Sequence, residues 1–268
     1  MKHARVAYAG AIHEATPVGV DERSLRLADG RVVDEEAVVW LPPFDVGTVV
    51  ALGLNYADHA KELAFKAQDE PLVFLKGPCT LLGHRGQTRR PADATFMHYE
   101  CELAVVIGRP ARHVRRADAQ AHVAGYTVAN DYAIRDYLEN WYRPNMRVKN
   151  RDGATVLGPW LVDAADVHWP PRLELRTSVN GRETQRGNSR DLGFDIPFLI
   201  EYLSGFMTLS PGDVILTGTP EGVVDVVPGD EVACEIEGIG RLVNNIVGDD
   251  VFGRCGDGSP SAEPRRQA

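Results

Sequence analysis

The chain has 268 residues, 44% of them hydrophobic and 25% charged. These are ordinary proportions for one large globular domain, or one domain with a small appendage, with enough core to need no disulfide or zinc staple. The 38 acidic residues outweigh the 29 basic ones, giving a formal charge of −9; with no overall positive field, general nucleic-acid binding is not expected. Gly (26) and Pro (17) are generous, which favours a turn-rich, strand-containing fold over a helix bundle. Four cysteines without a C-x-x-C pair argue against a zinc cluster and for free thiols in a reducing compartment. The N-terminus has no apolar signal core, and no apolar run approaches the ~20 residues of a membrane span. A cytoplasmic protein without membrane partners is the expectation.

Residues 1–46 alternate short apolar runs with turn residues. Strands are expected over 5–8, 24–27 and 31–33, with Ala28-Asp29-Gly30 as a hairpin turn. This stretch reads as a small β-rich appendage, closed by Leu41-Pro42-Pro43. Residues 49–54 form an apolar strand ending at Asn55, and 58–66 have helical spacing. On such a helix His59 and Glu62 lie one turn apart on one face. A carboxylate beside an imidazole fixes its tautomer and raises its basicity, which suits proton transfer, although most such pairs are surface accidents. Residues 72–75 are a short strand from which Lys76 emerges.

The segment His98-Tyr-Glu-Cys-Glu-Leu-Ala-Val-Val-Ile-Gly108 carries the most chemistry. In a strand over 100–107, Glu100 and Glu102 point to the same face. Two like charges side by side need a counter-charge. A hard divalent cation would supply it, given a third carboxylate such as Asp131 at the end of a strand over 125–130. A glutamate pair matched by Arg or Lys across the strands fits the spacing too. Helices are expected over 117–123 and 134–142. Arg135, Arg143, Arg147 and Lys149 form a local basic group able to take a small polyanion, or simply a solvated loop. In the second half, strands are expected over 173–179, 214–217, 231–236 and 241–247, with one helix over 196–206. The Leu216-Thr-Gly-Thr-Pro220 turn can hold a carboxylate through N–H groups and hydroxyls, or be structural only. Residues 47–252 make the main domain, and 253–268 read as a disordered tail. Strands and helices mix without a βαβ rhythm, which argues for an α+β, sheet-rich sandwich or barrel.

Taken together, Gly53-Leu-Asn-Tyr-Ala-Asp-His-Ala-Lys-Glu62, Pro71-Leu-Val-Phe-Leu-Lys-Gly77, the segment from His98 to Gly108, Asn130-Asp131 and Leu216-Thr-Gly-Thr-Pro220 resemble the fumarylacetoacetate hydrolase superfamily. The resemblance covers roughly 47–248. Tyr132-Ala-Ile-Arg-Asp-Tyr-Leu-Glu-Asn140, Arg147-Val-Lys-Asn-Arg-Asp-Gly153 and Glu201-Tyr-Leu-Ser-Gly-Phe-Met-Thr-Leu-Ser-Pro211 are similar to the branch acting in homoprotocatechuate breakdown as isomerase and decarboxylase. Long members of that branch hold two tandem units, and this chain resembles the C-terminal, metal-bearing one.

The resemblance implies a mixed β-sandwich roll or barrel of the family's C-terminal type. It implies Glu100, Glu102 and Asp131 as Mg²⁺ or Mn²⁺ ligands, and His59 with Glu62 as a proton-handling pair. Lys149 matches the family's active-site lysine, and Arg135 and Thr219 match contacts to a substrate carboxylate; Lys76 and Arg147 join them as candidate substrate contacts. The implied reactions are decarboxylation of 5-oxopent-3-ene-1,2,5-tricarboxylate and isomerisation of 2-hydroxyhepta-2,4-diene-1,7-dioate to 2-oxohept-3-ene-1,7-dioate. The alternatives are a hydrolase of acylpyruvate C–C bonds and a non-catalytic partner of a split two-unit enzyme. Some single-unit relatives acting on acylpyruvates or oxaloacetate carry Gln where this chain has Leu138, which counts against the first. A homodimer is expected, or pairing with a second homologous subunit.

Overall fold

The computed structural model describes residues 1–56, 69–138 and 146–249. Its first strands are β1 (Lys2–Tyr8), β2 (Ala11–Val18), β3 (Ser24–Leu27), β4 (Val32–Asp34) and β5 (Val39–Leu41). Gly30, at φ +89, closes the expected β3–β4 hairpin. β1 also pairs with a later strand through Lys2↔Val162 and His3↔Leu161, so backbone pairing crosses the expected boundary at residue 46. Val6, Leu25, Leu27 and Trp40 are buried in the same core as the rest of the chain.

Next come β6 (Val49–Gly53), β7 (Leu72–Lys76), β8 (Leu81–Gly83), β9 (Gln87–Arg90) and β10 (Met97–His98). The central strands are β11 (Cys101–Ile107), β12 (Val123–Asp131), β13 (Ala133–Ile134) and β14 (Thr155–Asp163). The remainder are β15 (Glu174–Val179), β16 (Arg182–Asn188), β17 (Val214–Leu216), β18 (Glu231–Ile236) and β19 (Gly240–Gly248). A large mixed sheet runs in the order β4-β3-β2-β1-β14-β12-β11-β17-β6-β7, and a five-stranded sheet runs β16-β15-β18-β19-β9. Both are open paths, so the α+β, sheet-rich roll is present without barrel closure. The smaller sheet packs against β11, β12 and β14.

β11 is buried along its whole length, as expected of an apolar, β-branched run covered on both faces. Its odd positions, Cys101, Leu103 and Val105, belong to the core between the sheets, and Ala104 belongs to a smaller cluster on the opposite face with Val49, Ala51 and Leu216. Cys101 touches Cys234 of the smaller sheet; both are free, fully buried thiols, and burial raises the Cys101 thiol well above its ordinary range.

Two helices are described: α1 (Met146–Lys149) and α2 (Ile196–Phe206). In α2 Asp195 caps the first turn by accepting from the Phe198 N–H, and Ile196, Leu199, Ile200 and Leu203 form the buried stripe. The expected helix over 117–123 is a 3-10 run, Arg116–His122. The expected helix over 134–142 begins as β13 and continues as a single 3-10 turn, Arg135–Tyr137, because β13 pairs with β10 and the Arg135 N–H donates to the Phe96 carbonyl. Residues 139–145 and 250–268 lie outside the described part. Among the described residues no helix is long and apolar enough to cross a membrane.

Candidate metal centre

Strand alternation aims three carboxylates at one point. Glu102 shares its face with Ala104, away from the inter-sheet core. On the antiparallel neighbour β12, Asp131 shares a face with Ala129, which is in register with Glu102. The Asp131 N–H donates to the Glu100 carbonyl at 3.0 Å, which sets these two residues side by side. Ligand oxygens of Glu100, Glu102 and Asp131 all lie within 4.8 Å of one another, and all three residues are buried. Behind them Asn130 accepts from the Glu100 N–H, and Asn130 and Tyr132 both donate to Asn244 of the smaller sheet.

The electrostatics call for a cation. Glu102 is fully buried; Oε2 accepts from the Gly218 N–H, and Oε1 has no hydrogen-bond partner among the described residues. Burial, then the Asp131 and Glu100 charges, push its carboxyl well above the usual range. An all-oxygen donor set with an orphaned oxygen fits a hard divalent cation.

Protein cations border the same cluster. Lys149, at the end of α1, places Nζ 2.7 Å from Glu100 Oε2, 2.9 Å from Asp131 Oδ2 and 3.1 Å from the Asp131 carbonyl. Burial alone would depress its pKa, but Asp131 and Glu100 outweigh it and the net shift is upward. Lys76 donates to Asp131 Oδ1 and to the Lys149 carbonyl, and its side chain is fully enclosed. Burial pulls its pKa down, Asp131 resists, and Lys149 adds to the fall. Lys76 therefore stands behind Asp131 and Lys149, holding both. Arg135 reaches Glu100 Oε1 with Nη2 at 3.4 Å and gives its Nε–H to His98 Nε2 at 2.7 Å. Burial takes His98 down to about 3, so the ring is neutral, and Nδ1 lies 3.0 Å from the Tyr99 carbonyl.

Thr219 is buried on the loop after β17. Its Oγ1 accepts from Gln185 Nε2 at 2.9 Å, and the same amide donates to the Pro220 carbonyl. Because the hydroxyl accepts there, its own proton is left for another acceptor. Gly218, at φ +92, is needed for this turn; a Cβ there would meet Asn55 Cβ at 3.0 Å. Asn55 ties the loop down, donating to the Thr217 and Phe194 carbonyls and accepting from the Phe194 N–H.

The structure thus brings together Glu100, Glu102, Asp131, Lys149, Lys76 and Arg135. Arg147 is exposed, with its guanidinium 4.7 Å from the Tyr137 ring centre. His59, Glu62 and Arg143 fall outside the described residues. His98, Asn55 and Gln185 had no role in the sequence reading. The signal for Asn55 was present, as a polar residue ending an apolar strand; Gln185 sits in a polar strand with no pattern to mark it.

The family model for the fumarylacetoacetate hydrolase C-terminal region matches residues 48–247. A 4-hydroxyphenylacetate degradation bifunctional isomerase/decarboxylase of Salmonella dublin is 59% identical over 221 residues, covering 82% of this chain and 51% of that one. The chain spans about half the length of the bifunctional isomerase/decarboxylase relatives it matches. Among solved structures, a 5-carboxymethyl-2-hydroxymuconate delta-isomerase from Mycobacterium smegmatis is 39% identical with a TM-score of 0.82, over 93% of this chain and 99% of that one. A fumarylpyruvate hydrolase from Pseudomonas aeruginosa, in complex with Mn²⁺ and pyruvate, is 32% identical with a TM-score of 0.72, over 78% and 92%.

Proposed function

The chain belongs to the fumarylacetoacetate hydrolase C-terminal family, and we propose that it decarboxylates 5-oxopent-3-ene-1,2,5-tricarboxylate and isomerises 2-hydroxyhepta-2,4-diene-1,7-dioate to 2-oxohept-3-ene-1,7-dioate. The observation that carries the chemistry is the buried carboxylate triad, with Glu102 Oε1 unpartnered among the described residues and Lys149 and Arg135 alongside. The choice of substrates rests on the bifunctional relatives.

Glu100, Glu102 and Asp131 would hold Mg²⁺ or Mn²⁺, whose Lewis acidity favours an α-keto acid as chelating group and stabilises enolate charge. The chain's own residues do the rest. Arg135 and the Thr219 hydroxyl bind and orient a substrate carboxylate. The departing carboxylate is vinylogously β to the ketone, so loss of CO₂ sends an electron pair through the double bond to the keto oxygen. Lys149 keeps its proton beside Glu100 and Asp131, so its positive charge is fixed where that negative charge develops. His59, tuned by Glu62, delivers the proton to the remote carbon of the dienolate in the isomerase step. Both steps share one dienolate, so one site serves both. The substrate partner is then a small polycarboxylate. The assembly is a homodimer or a pair with a homologous subunit, and the compartment is the cytoplasm, in keeping with the free thiols Cys79, Cys101 and Cys234.

The test is to purify the chain alone, strip its metal, restore Mg²⁺ and supply the tricarboxylate while following CO₂ and ultraviolet absorbance. CO₂ release that stops with chelator and returns with Mg²⁺ is expected. Cleavage of acylpyruvates without CO₂ release would replace the proposal with a hydrolase. Silence on both, relieved by a second homologous subunit, would make the chain a partner subunit.

A further inference from the structure

His98 is fully buried, and both ring nitrogens are engaged. The Tyr99 carbonyl beside Nδ1 can only accept, and the Arg135 guanidinium beside Nε2 can only donate. The tautomer follows: Nδ1 carries the proton and Nε2 offers its lone pair. The two short strands β10 and β13 set this contact by pairing His98 with Ala133, next to the Arg135 N–H bond to the Phe96 carbonyl.

A guanidinium can grip a carboxylate end-on through Nη1 and Nη2, or side-on through Nε and one Nη. Nε is taken by His98, so the end-on edge remains, with Nη2 3.4 Å from Glu100 Oε1 and the side chain as a whole about one-fifth exposed. A neutral acceptor orients the guanidinium without cancelling its charge. We propose that His98 is the positioning residue for Arg135, locking its Nε so that the Nη1–Nη2 edge receives a substrate carboxylate at the metal centre. This rests on the reading above that Arg135 binds such a group. His98 itself touches neither substrate nor cation.

The experiment uses the full chain loaded with Mn²⁺ and oxalate as the carboxylate probe. Mn²⁺ affinity is read by electron paramagnetic resonance and oxalate affinity by calorimetry. His98→Leu should keep Mn²⁺ affinity and weaken oxalate roughly tenfold to hundredfold, the scale of a charge-assisted hydrogen bond. His98→Gln, whose Oε1 can accept from Arg135 Nε, should restore most of the loss. In an Arg135→Met background, His98→Leu should change oxalate affinity by less than about twofold, because a positioning residue has nothing left to position. If the leucine variant does not fold, His98→Met carries the same comparison. Wild-type oxalate affinity in the leucine or methionine variant would overturn the role of His98 alone, as would an equal loss in the Arg135→Met background. A wild-type chain that binds Mn²⁺ but no oxalate would overturn the carboxylate site, and this role with it.

Discussion

Glu102 is a fully buried carboxylate with one backbone donor and two carboxylate neighbours. It is costly in the metal-free chain and valuable in the loaded one, so Glu102→Gln should move two measurements in opposite directions. Mn²⁺ affinity should fall by at least about a hundredfold, read by paramagnetic resonance. The metal-free protein should gain roughly 1–3 kcal/mol in urea unfolding, as a buried like-charge contact disappears. A variant with unaltered Mn²⁺ affinity would remove Glu102 from the ligand set. Lys149→Met tests the neighbouring charge: turnover should drop on the order of a hundredfold or more with Mn²⁺ retained, and wild-type turnover would count against its role. At this scale much was legible, because strand alternation alone puts Glu100 and Glu102 on one face. The contact of His98 with Arg135 was not, because it depends on pairing between two-residue strands that no periodicity marks.

Elements deliver these side chains, and one clamp holds the loop after β17 in place. Asn55 bonds to both Thr217 and Phe194, so it joins the end of β6 to the Thr217-Gly-Thr-Pro turn and to the approach to α2. Asn55→Ala should leave the buried Thr217 carbonyl and the half-buried Phe194 backbone groups unsatisfied and cost about 2–4 kcal/mol in urea unfolding. Wild-type stability would show that the loop holds itself. Reading elements from the sequence worked where burial imposes a simple pattern, as in β11, β18 and α2. It failed at 134–138, where pairing with β10 overrode a helical spacing; the rest of that expected helix lies outside the described residues. It also left out β14, which contains Gly158 and Pro159. In the sheet they sit beside a register shift between Tyr126 and Val128 that accommodates them.

Across the whole molecule, His84 marks a junction. Its ring meets Trp40 of the N-terminal strands edge-on at 4.9 Å, Trp40 meets Trp160 of the large sheet, and His84 Nδ1 accepts from the Val243 N–H of the smaller sheet. Burial, with Arg85 and Arg241 nearby, takes the ring from its ordinary 6.5 down to about 3. Above pH 6.5 both folded and unfolded chains hold it neutral. Below that the unfolded chain takes up a proton that the folded chain refuses, so stability falls as pH drops toward 3. The contribution is at most about 1.4 kcal/mol per pH unit. His84→Gln should flatten that part of the slope in urea unfolding between pH about 7 and about 4; parallel slopes would dismiss it. None of this junction was legible in the sequence, where residues 1–46 read as a small β-rich appendage; β1 pairs with β14. The sandwich also carries its own clock. Cys101 lies between Glu100 and Glu102, two of the candidate metal ligands, but faces the inter-sheet core beside Cys234. Any opening of β11 wide enough to free Glu100 and Glu102 therefore uncovers a thiol. With Cys255 replaced by serine and the exposed Cys79 already reacted, the slow labelling of the buried thiols times the opening of the strands that bury them. A divalent cation should slow that labelling in proportion to its affinity, with no substrate needed.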